Sequence, residues 1–369
     1  MEYACFTPDG SVAAVLLKQA SSAVLDESGR TPPPTGMLFL RTDPLGRASC
    51  RDTGAVSAVI EAQAASSSVV ALVLSGRAAC RQVRLLDVGS GAALTDLEFE
   101  GTVRAVKLNL TRMVVALAEG ALHIFDVRGS LRLLQKLDVP AMHLEPRGPL
   151  SPAPLALSGD ATCLVAVPAS KPGAVLVYDA LRLSVVALVP AHQTSVALVA
   201  LSWDGRLLAS TSDRGTVVRL FHLPSGEPAG VFRRGHTPAV VTVLAFGGGG
   251  SSSGTPARLV VGSETGTLHV FDVGAVLRRT ASTAAAAAGD AGAGLAAAVR
   301  DWVPSNVADL FSERSASVAR VASCPRAAAF HRDALRVVTT DAVLLEFGPP
   351  DAAGGDLKLV SSVDLARVV

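Results

Sequence analysis

Two adjacent arginines, Arg233 and Arg234, lie in the run Phe232-Arg233-Arg234-Gly235 and are well suited to bind an anion. The planar guanidinium group of arginine can donate two parallel hydrogen bonds to phosphate oxygens. On an extended backbone, neighbouring side chains point to opposite faces. The pair therefore cannot easily hold one ligand, although each arginine can serve a pocket of its own. Taken alone, an exposed arginine pair is more often a solvated surface feature than a binding site.

The sequence contains no catalytic motif. It has no Gly-x-Ser-x-Gly elbow, no phosphate loop ending in Gly-Lys-Ser/Thr, no His-Glu-x-x-His motif and no closely spaced His/Cys cluster. The acids Asp87, Asp126, Asp179 and Asp272 recur at strand ends, where hydrogen bonding to turns is their expected role. We therefore expect no enzyme activity, no metal site and no cofactor.

The composition indicates a folded protein without a general affinity for nucleic acid. The 369 residues include 33 Lys and Arg against 32 Asp and Glu, so a broadly basic surface for nucleic acid is excluded. With 49% hydrophobic and 18% charged residues, the chain is too apolar to be disordered. Only 11 Phe, 2 Trp and 2 Tyr are present, so Ala, Val and Leu must fill a core of short, covered strands.

The cysteines and the N-terminus favour a cytoplasmic protein. The five cysteines are scattered and contain no Cys-x-x-Cys pair, so we expect reduced, mostly buried thiols at Cys5, Cys50, Cys80, Cys163 and Cys324. The first residues lack the basic start and apolar core of a signal peptide. No apolar run approaches the about 20 residues of a membrane span, so any membrane contact is expected to be peripheral.

Short apolar strands that end in an acidic or polar residue recur along the chain. These endings are Arg84–Asp87, His123–Asp126, Leu176–Asp179, Arg219–His222 and His269–Asp272. Their last residues are 39, 53, 43 and 50 positions apart. A WD-type propeller blade is about 40–45 residues long, and longer steps are expected where a loop is inserted. Two of the units also contain a matching turn, with Gly215 and Gly266 supplying the tight bend between two strands.

The repeat predicts an all-β fold, a seven-bladed WD-repeat-like β-propeller that occupies residues 1–369 as a single domain. Val196–Leu201 is a continuous apolar run typical of a strand covered on both faces, and Leu207–Ser210 and Leu259–Val261 are shorter candidates. A pair of β-sandwiches is the alternative, which the regular spacing disfavours.

Three segments interrupt the repeat. We interpret residues 26–35 as an inserted loop in the first blade and residues 247–255 as a flexible hairpin tip. Residues 274–317 are far longer than a propeller loop needs, and 11 of the 18 residues from Ala281 to Ala298 are alanine. Such long loops are usually functional or disordered.

Several runs together resemble the PROPPIN family, the phosphoinositide-binding WD-repeat β-propellers that include the WIPI proteins of autophagy. The runs that carry the resemblance are Ala191-His192-Gln193, Leu207–Thr216, Arg219-Leu220-Phe221, Phe232–Gly235 and Ser263–Phe271. Upstream, Leu108–Val115 looks like the family's Asn-x-Thr-Arg strand, and Phe6–Ser11 looks like its first strand and turn.

The resemblance implies two pockets for lipid headgroups, one on each side of the arginine pair. The first would use His192, Ser210, Ser212, Arg214, Thr216 and Arg233. The second would use Arg234, His236, Ser263, Thr265 and Thr267, with His269 as a further candidate. A histidine near its ordinary pKa would gain positive charge beside an anionic surface. The chain has Thr265 where the family commonly has Lys or Arg, so we expect the second pocket to be the weaker one. Without the resemblance, the hydroxyls would be interpreted as turn caps and the histidines as surface residues.

The resemblance also places the segment 274–317 where the family has a membrane-inserting loop in its sixth blade. Val303, Val307, Leu310 and Phe311 have the spacing of one helix face, and with Trp302 they are the expected membrane anchors. The alternative is a disordered Ala/Gly insert.

The resulting hypothesis is a peripheral membrane scaffold that binds phosphatidylinositol 3-phosphate, the 3,5-bisphosphate, or both, and acts in autophagosome formation. By resemblance, we expect a monomer that contacts an autophagy lipid-transfer protein near Asn109–Val115. The expected location is cytoplasmic, with peripheral association to the phagophore assembly site and to endosomal or vacuolar membranes. The competing hypothesis is a propeller scaffold that binds only proteins, with the arginines serving an acidic peptide.

Overall fold

The computed structural model describes most of the chain as strands joined by short turns. It covers residues 3–6, 12–18, 35–42, 45–52, 56–62, 69–74, 80–87, 92–140, 144, 152–247, 258–278, 313–331, 333–349 and 355–365. These residues form thirty strands in seven sheets and one short helix over residues 273–278. The chain divides into two compact units, of which the first contains residues 1–142, 323–349 and 358–369 and the second contains residues 143–322 and 350–357.

The first unit contains four sheets of four antiparallel strands. Sheet 1 consists of β1 (Tyr3–Phe6), β2 (Val12–Lys18), β3 (Thr35–Thr42) and β4 (Leu45–Asp52). Sheet 2 consists of β5 (Val56–Ala62), β6 (Val69–Leu74), β7 (Gln82–Asp87) and β8 (Ala93–Glu98). Sheet 3 consists of β9 (Val103–Leu108), β10 (Arg112–Leu117), β11 (Ala121–Asp126) and β12 (Arg132–Asp138). Sheet 7 consists of β26 (Pro325–His331), β27 (Ala334–Thr339), β28 (Val343–Phe347) and β30 (Leu359–Asp364).

The second unit contains three sheets, two of which gain a fifth, parallel strand. Sheet 4 consists of β13 (Ala156–Leu157), β14 (Leu164–Pro168), β15 (Ala174–Asp179) and β16 (Ser184–Pro190). Sheet 5 consists of β17 (Val196–Leu201), β18 (Leu207–Ser212), β19 (Val217–His222), β20 (Pro228–Arg233) and the added β24 (Glu313–Arg314). Sheet 6 consists of β21 (Val241–Gly247), β22 (Arg258–Ser263), β23 (Thr267–Asp272), β25 (Ser317–Arg320) and the added β29 (Gly355–Asp356).

The predicted strand pattern is confirmed in both units. Each of the five repeated endings is the end of the third strand of a sheet, and β17 is almost entirely buried, as its continuous apolar sequence predicts. The strand-end acids bind turns, as expected. The carboxylate of Asp179 accepts hydrogen bonds from the backbone N–H groups of Leu181 and Arg182. That of Asp272 accepts one from Ala275 in the short helix.

Aliphatic side chains fill the core, with few aromatic rings among them. In the second unit, Phe232 of sheet 5 and Phe271 of sheet 6 are fully buried and stack with their ring centroids 4.6 Å apart. Leu207, Leu259 and Val261 belong to the same buried cluster. This packing orders the end of β20, which precedes Arg234.

The three interrupting segments lie largely outside the described residues. Thr35 begins β3 and Gly247 ends β21, while residues 26–34 and 248–255 are not described. The segment 274–317 begins within the short helix and ends in β24 and at the first residue of β25, and residues 279–312 are not described. It connects the third and fourth strands of the sixth sheet in chain order. The single-domain organisation stays a prediction.

The described cysteines are less uniformly buried than expected, since Cys163 and Cys324 are buried whereas Cys5 and Cys80 are half-buried. Across the described ranges, the structure contains no helix with the length and hydrophobicity of a transmembrane span.

Candidate functional site

Strand register places Arg233 on the same face of sheet 5 as two other polar side chains. Arg233 lies opposite Val217 in β19, and Arg219, two residues further along β19, lies opposite Ser210 in β18. Residues directly opposite each other, and residues two apart on one strand, share a face of the sheet. Arg233, Arg219 and Ser210 therefore share one face, while Phe232 lies on the other, where it packs against sheet 6.

The first face is completed by the loop between sheets 4 and 5. Nε2 of His192 and Oγ of Ser210 are 3.0 Å apart and share a hydrogen bond, and Nη1 of Arg219 donates to the backbone oxygen of Ala191 at 2.9 Å. Burial, followed by the neighbouring Arg219 guanidinium, lowers the pKa of His192 to about 3. His192 is therefore neutral near pH 7. Burial and a nearby cation both disfavour the charged form in the unliganded protein, so a gain of positive charge beside an anionic surface stays a prediction.

The turn between β18 and β19 presents hydroxyls and one exposed cation. Ser212 is buried, Thr216 is half-buried and Arg214 is exposed. The carboxylate of Asp213 accepts a hydrogen bond from Oγ1 of Thr194 at 2.6 Å and one from the backbone N–H of Arg214 at 2.9 Å. Asp213 thus ties this turn to the loop that carries His192, while Arg214 remains at the surface.

Arg234 is buried and braces the loop that follows β20. Its Nε donates to the backbone oxygen of Gly215 at 2.5 Å, and its Nη2 donates to that of Thr237 at 2.6 Å. Burial lowers the pKa of Arg234. The pKa of His269 in sheet 6 is lowered to about 4, mainly by burial and further by the charge of Arg234. The two arginines therefore serve different sides, Arg233 the face of Ser210 and Arg234 the side of sheet 6, as the alternation of an extended chain predicts.

The conformation of the turn whose backbone oxygen accepts from Arg234 favours glycine at position 215. Gly215 has φ +62°, and a Cβ at this position would collide with the backbone oxygen of Ala239. By contrast, a Cβ at Gly235 would meet no atom within 4 Å.

Three hydroxyls form a compact cluster on sheet 6. Oγ of Ser263 is 2.8 Å from Oγ1 of Thr265 and 2.6 Å from Oγ1 of Thr267, and the two threonine oxygens are 3.3 Å apart. Glu264 lies beside them, but its carboxylate accepts a hydrogen bond from the backbone N–H of Val240 at 3.1 Å. The acid therefore holds the loop between sheets 5 and 6, as Asp213 holds the loop between sheets 4 and 5. His236 is exposed in this loop.

Two further arginines, Arg219 and Arg320, lie on these faces, although the sequence alone assigns neither of them a role. Arg219 lies between Ser210 and Val231 in the register of sheet 5. Arg320 in β25 is exposed and lies directly opposite Thr267, which places it on the face of the hydroxyl cluster. Only the pairing of β23 with β25, across the long segment, reveals Arg320. Arg219 could have been found by aligning β18 with β19.

The membrane anchors named from the sequence, Trp302, Val303, Val307, Leu310 and Phe311, lie outside the described residues. The end of their segment is described, because β24 pairs in parallel with β20, with Arg314 opposite Arg233 in the backbone register. Residues 313–314, near the end of this segment, thus lie beside the strand that carries Arg233.

The candidate partner region in the first unit is an ordered turn. Oδ1 of Asn109 accepts hydrogen bonds from the backbone N–H groups of Thr111 at 2.9 Å and Arg112 at 2.7 Å. Nη1 of Arg112 is 3.0 Å from the carboxylate of Asp126, and Nη2 of Arg128 donates to Oγ1 of Thr111 at 2.8 Å. Among the described residues, no group of three or more His, Cys, Asp or Glu could hold a metal ion.

Comparison with known proteins gives a consistent result. The PROPPIN family model matches residues 52–330. The chain is 30% identical over 317 residues to autophagy-related protein 18 of Dictyostelium discoideum, and the match covers 81% of each chain. It is 32% identical over 264 residues to WD repeat domain phosphoinositide-interacting protein 2 of Mus musculus, covering 70% of this chain and 55% of that protein. The chain thus spans little more than half the length of some relatives.

Solved structures share the fold. The complex of KlAtg21 with the coiled coil of AgAtg16 matches with a TM-score of 0.70 and 19% identity, covering 98% of both chains. Kluyveromyces lactis Hsv2 with its complete loop 6CD matches with a TM-score of 0.69 and 17% identity, covering 99% of this chain and 98% of that one. These likenesses, together with the sheets of four or five strands, confirm the predicted all-β propeller fold class. The seven sheets equal in number the seven predicted blades.

Proposed function

Because the chain belongs to the PROPPIN family, we propose that it is a non-enzymatic, phosphoinositide-binding peripheral membrane scaffold that acts in autophagosome formation. Its ligands are phosphatidylinositol 3-phosphate, the 3,5-bisphosphate, or both. The observation that supports this proposal best is the shared face of sheet 5, where two arginines and a serine hydroxyl that is hydrogen-bonded to a neutral histidine lie side by side.

The first face has the donors that a phosphate monoester needs. Arg233 is half-buried at the end of β20 and Arg214 is exposed on the adjoining turn, so both can reach an anion from solvent. Ser210 and Ser212 would add hydroxyl donors from buried positions, and the Ser210 hydroxyl would exchange its bond with His192 for one to the phosphate. Each charge-assisted hydrogen bond contributes about 1.5–3 kcal/mol. Asp213, the acid of this turn, accepts a hydrogen bond from Thr194 and so holds the turn against the loop that carries His192.

The second face is the face of sheet 6 that carries the hydroxyl cluster of Ser263, Thr265 and Thr267, with Arg234 and Arg320 at its edges. Ser263, Thr265 and Thr267 can turn their hydroxyl protons from one another towards a phosphate oxygen. Arg234 uses the N–H of Nε and one N–H of Nη2 on backbone oxygens, so Nη1 and the second N–H of Nη2 would be its donors to a ligand. Arg320, opposite Thr267, supplies a cation on a face where Thr265 replaces the family's usual basic residue.

Membrane binding would combine several weak contacts. The formal net charge of +1 gives little general attraction to an anionic surface. Two headgroup sites held in one unit reinforce each other because the second contact is intramolecular once the first has formed. The segment 274–317 would add shallow insertion, and β24 would hold its end next to Arg233.

Relatives suggest the biological setting. Curated relatives are named for autophagy and one structural neighbour is bound to the coiled coil of Atg16, so we propose autophagy membranes as the site of action and an autophagy protein as a partner. An autophagy lipid-transfer protein is the proposed partner of the turn at Asn109–Val115. The exposed Arg128 and the half-buried Arg112 would supply its polar contacts.

Vesicle flotation tests the lipid function. Wild-type protein should float with phosphatidylcholine vesicles that contain phosphatidylinositol 3-phosphate or the 3,5-bisphosphate, and with neither lipid it should stay at the bottom. The double variant Arg233→Thr/Arg234→Thr should not float. Because Arg234 also braces a loop, Arg233→Thr alone is the cleaner variant, and its loss of one charge-assisted contact predicts roughly tenfold to hundredfold weaker binding.

Arg182→Thr is the matched control, since the Arg182 side chain is 84% exposed in the turn between β15 and β16. Its buried partner Asp179 keeps the hydrogen bonds from the backbone N–H groups of Leu181 and Arg182. This variant should float like the wild type. If the wild type and the Arg233 variants float equally, or if none of these proteins floats, the result would instead support the protein-only scaffold, in which these arginines bind an acidic peptide.

Membrane insertion needs a separate variant. Replacing residues 281–311 by a Gly-Ser linker should leave headgroup recognition intact and should reduce stable retention on vesicles. Unchanged retention would contradict insertion by this segment.

A further inference from the structure

The loop between β20 and β21 carries an exposed threonine followed by proline. The sequence contains five Ser/Thr-Pro dipeptides, and Thr237-Pro238 is the one in which both residues are described. His236, Thr237 and Pro238 are all exposed. The Thr237 hydroxyl is therefore open to an enzyme that modifies side chains on exposed loops.

The two sides of this loop are anchored by groups other than that hydroxyl. On one side, Nη2 of Arg234 donates to the backbone oxygen of Thr237. On the other side, the backbone N–H of Ala239 donates to the backbone oxygen of Arg214, and Val240 exchanges hydrogen bonds with Glu264. Modification of the Thr237 hydroxyl therefore leaves every one of these bonds in place.

We propose that Thr237 is a phosphorylation site for a proline-directed protein kinase and that its phosphorylation switches off phosphoinositide binding. This inference rests on the lipid-binding function proposed above. In the reaction, Oγ1 of Thr237 attacks the γ-phosphorus of a nucleoside triphosphate. The new Oγ1–P bond replaces the bond to the β-phosphate oxygen, the nucleoside diphosphate leaves, and the hydroxyl proton passes to the kinase.

The location explains why the modification would act on lipid binding. A phosphothreonine carries about −1.5 to −2 charges at neutral pH and three strong acceptor oxygens. Thr237 is held next to the Arg234 guanidinium and adjoins His236, two of the groups assigned to the second headgroup site, and Arg233 precedes them at the end of β20. The attached phosphate would compete with a lipid phosphate for these donors and would repel it.

The two acids nearest in sequence to the proposed headgroup sites are both engaged in holding loops. The carboxylates nearest in sequence to the two sites, Asp213 and Glu264, are each hydrogen-bonded to a loop. Both acids therefore already have a hydrogen-bond partner within the loops themselves.

The test uses the full chain treated with a cyclin-dependent kinase and magnesium ATP. Peptide mass spectrometry should locate phosphate on Thr237, and Pro238→Ala should sharply reduce that modification. The treated wild type should then bind vesicles that contain phosphatidylinositol 3-phosphate at least about tenfold more weakly than untreated protein. Thr237→Ala, which keeps the other four dipeptides, should bind equally well before and after treatment.

Substitutions at Thr237 test the same proposal without a kinase. Thr237→Glu should weaken vesicle binding, whereas the uncharged Thr237→Gln should not, and the two variants should unfold at the same temperature. An unmodified Thr237, or a phosphorylated protein that binds as well as the unmodified one, would overturn the inference while leaving the lipid function intact. Failure of the untreated wild type to bind these vesicles would overturn both.

Discussion

The neutral state of His192 makes a quantitative prediction about stability. Burial beside Arg219 lowers the pKa of His192 from 6.5 to about 3 in the folded protein. Below pH 6.5 the unfolded chain therefore binds a proton at this position that the folded protein does not bind. Folded-state stability is thus lost as pH falls below the unfolded pKa. Between about pH 7 and about pH 5, the linkage relation gives a loss of about 2 kcal/mol from this residue alone.

The perturbation is His192→Gln, which removes the titrating ring and keeps an amide that can hydrogen-bond Ser210. Urea unfolding followed by circular dichroism at both pH values measures the free energy of unfolding. The wild type should lose about 2 kcal/mol more than the variant between the two pH values. Ser210→Ala is the control, because it removes the hydrogen bond but keeps the buried ring, so it should retain the full pH dependence of the wild type.

The same loss of stability in wild type and His192→Gln would contradict the lowered pKa of His192. It would mean that the folded protein protonates His192 as readily as the unfolded chain does.

Three further predictions concern the supports of the two faces. Gly215→Ala should lower the free energy of unfolding by at least about 1–2 kcal/mol because of the positive φ at this position, and the collision with Ala239 should add to the loss. Gly235→Ala, the control, should change the free energy of unfolding by less than about 0.5 kcal/mol. Urea unfolding measures both variants, and equal effects would contradict the different surroundings of the two glycines. Phe232→Ala should cost about 3–5 kcal/mol in the same assay because it empties a fully buried, stacked position, and a loss below about 1 kcal/mol would show that this packing is absent. Arg320→Gln should weaken vesicle binding about tenfold without changing the unfolding temperature, and unchanged binding would remove Arg320 from the second face.

Local features of the fold could be predicted from the sequence. The strand endings at Asp126, Asp179 and Asp272 and the turns at Gly215 and Gly266 follow from apolar patterning and turn chemistry within a few residues. The opposite directions of Arg233 and Arg234 follow from the same local rule of alternation along an extended chain.

Features that depend on pairing between distant residues could not be predicted. Arg320 joins the hydroxyl cluster only because β25 pairs with β23 across the long segment, and Arg219 faces His192 only because of the register of sheet 5. Similarly, the neutral state of His192 depends on burial, which the residue types around it in sequence do not specify. The second role of Arg234, bracing a loop through two backbone oxygens, has the same origin.

We propose that Arg233 and Arg234 serve two separate headgroup sites. Isothermal titration calorimetry with soluble, short-chain phosphatidylinositol 3-phosphate measures the number of sites directly. Two sites are expected on the wild-type protein and one on Arg233→Thr. One site is also expected on Thr265→Asp, which places a negative charge at the exposed edge of the hydroxyl cluster on sheet 6. A single site on the wild type that is lost in both variants would contradict two separate sites, because it would mean that the two faces bind one ligand together.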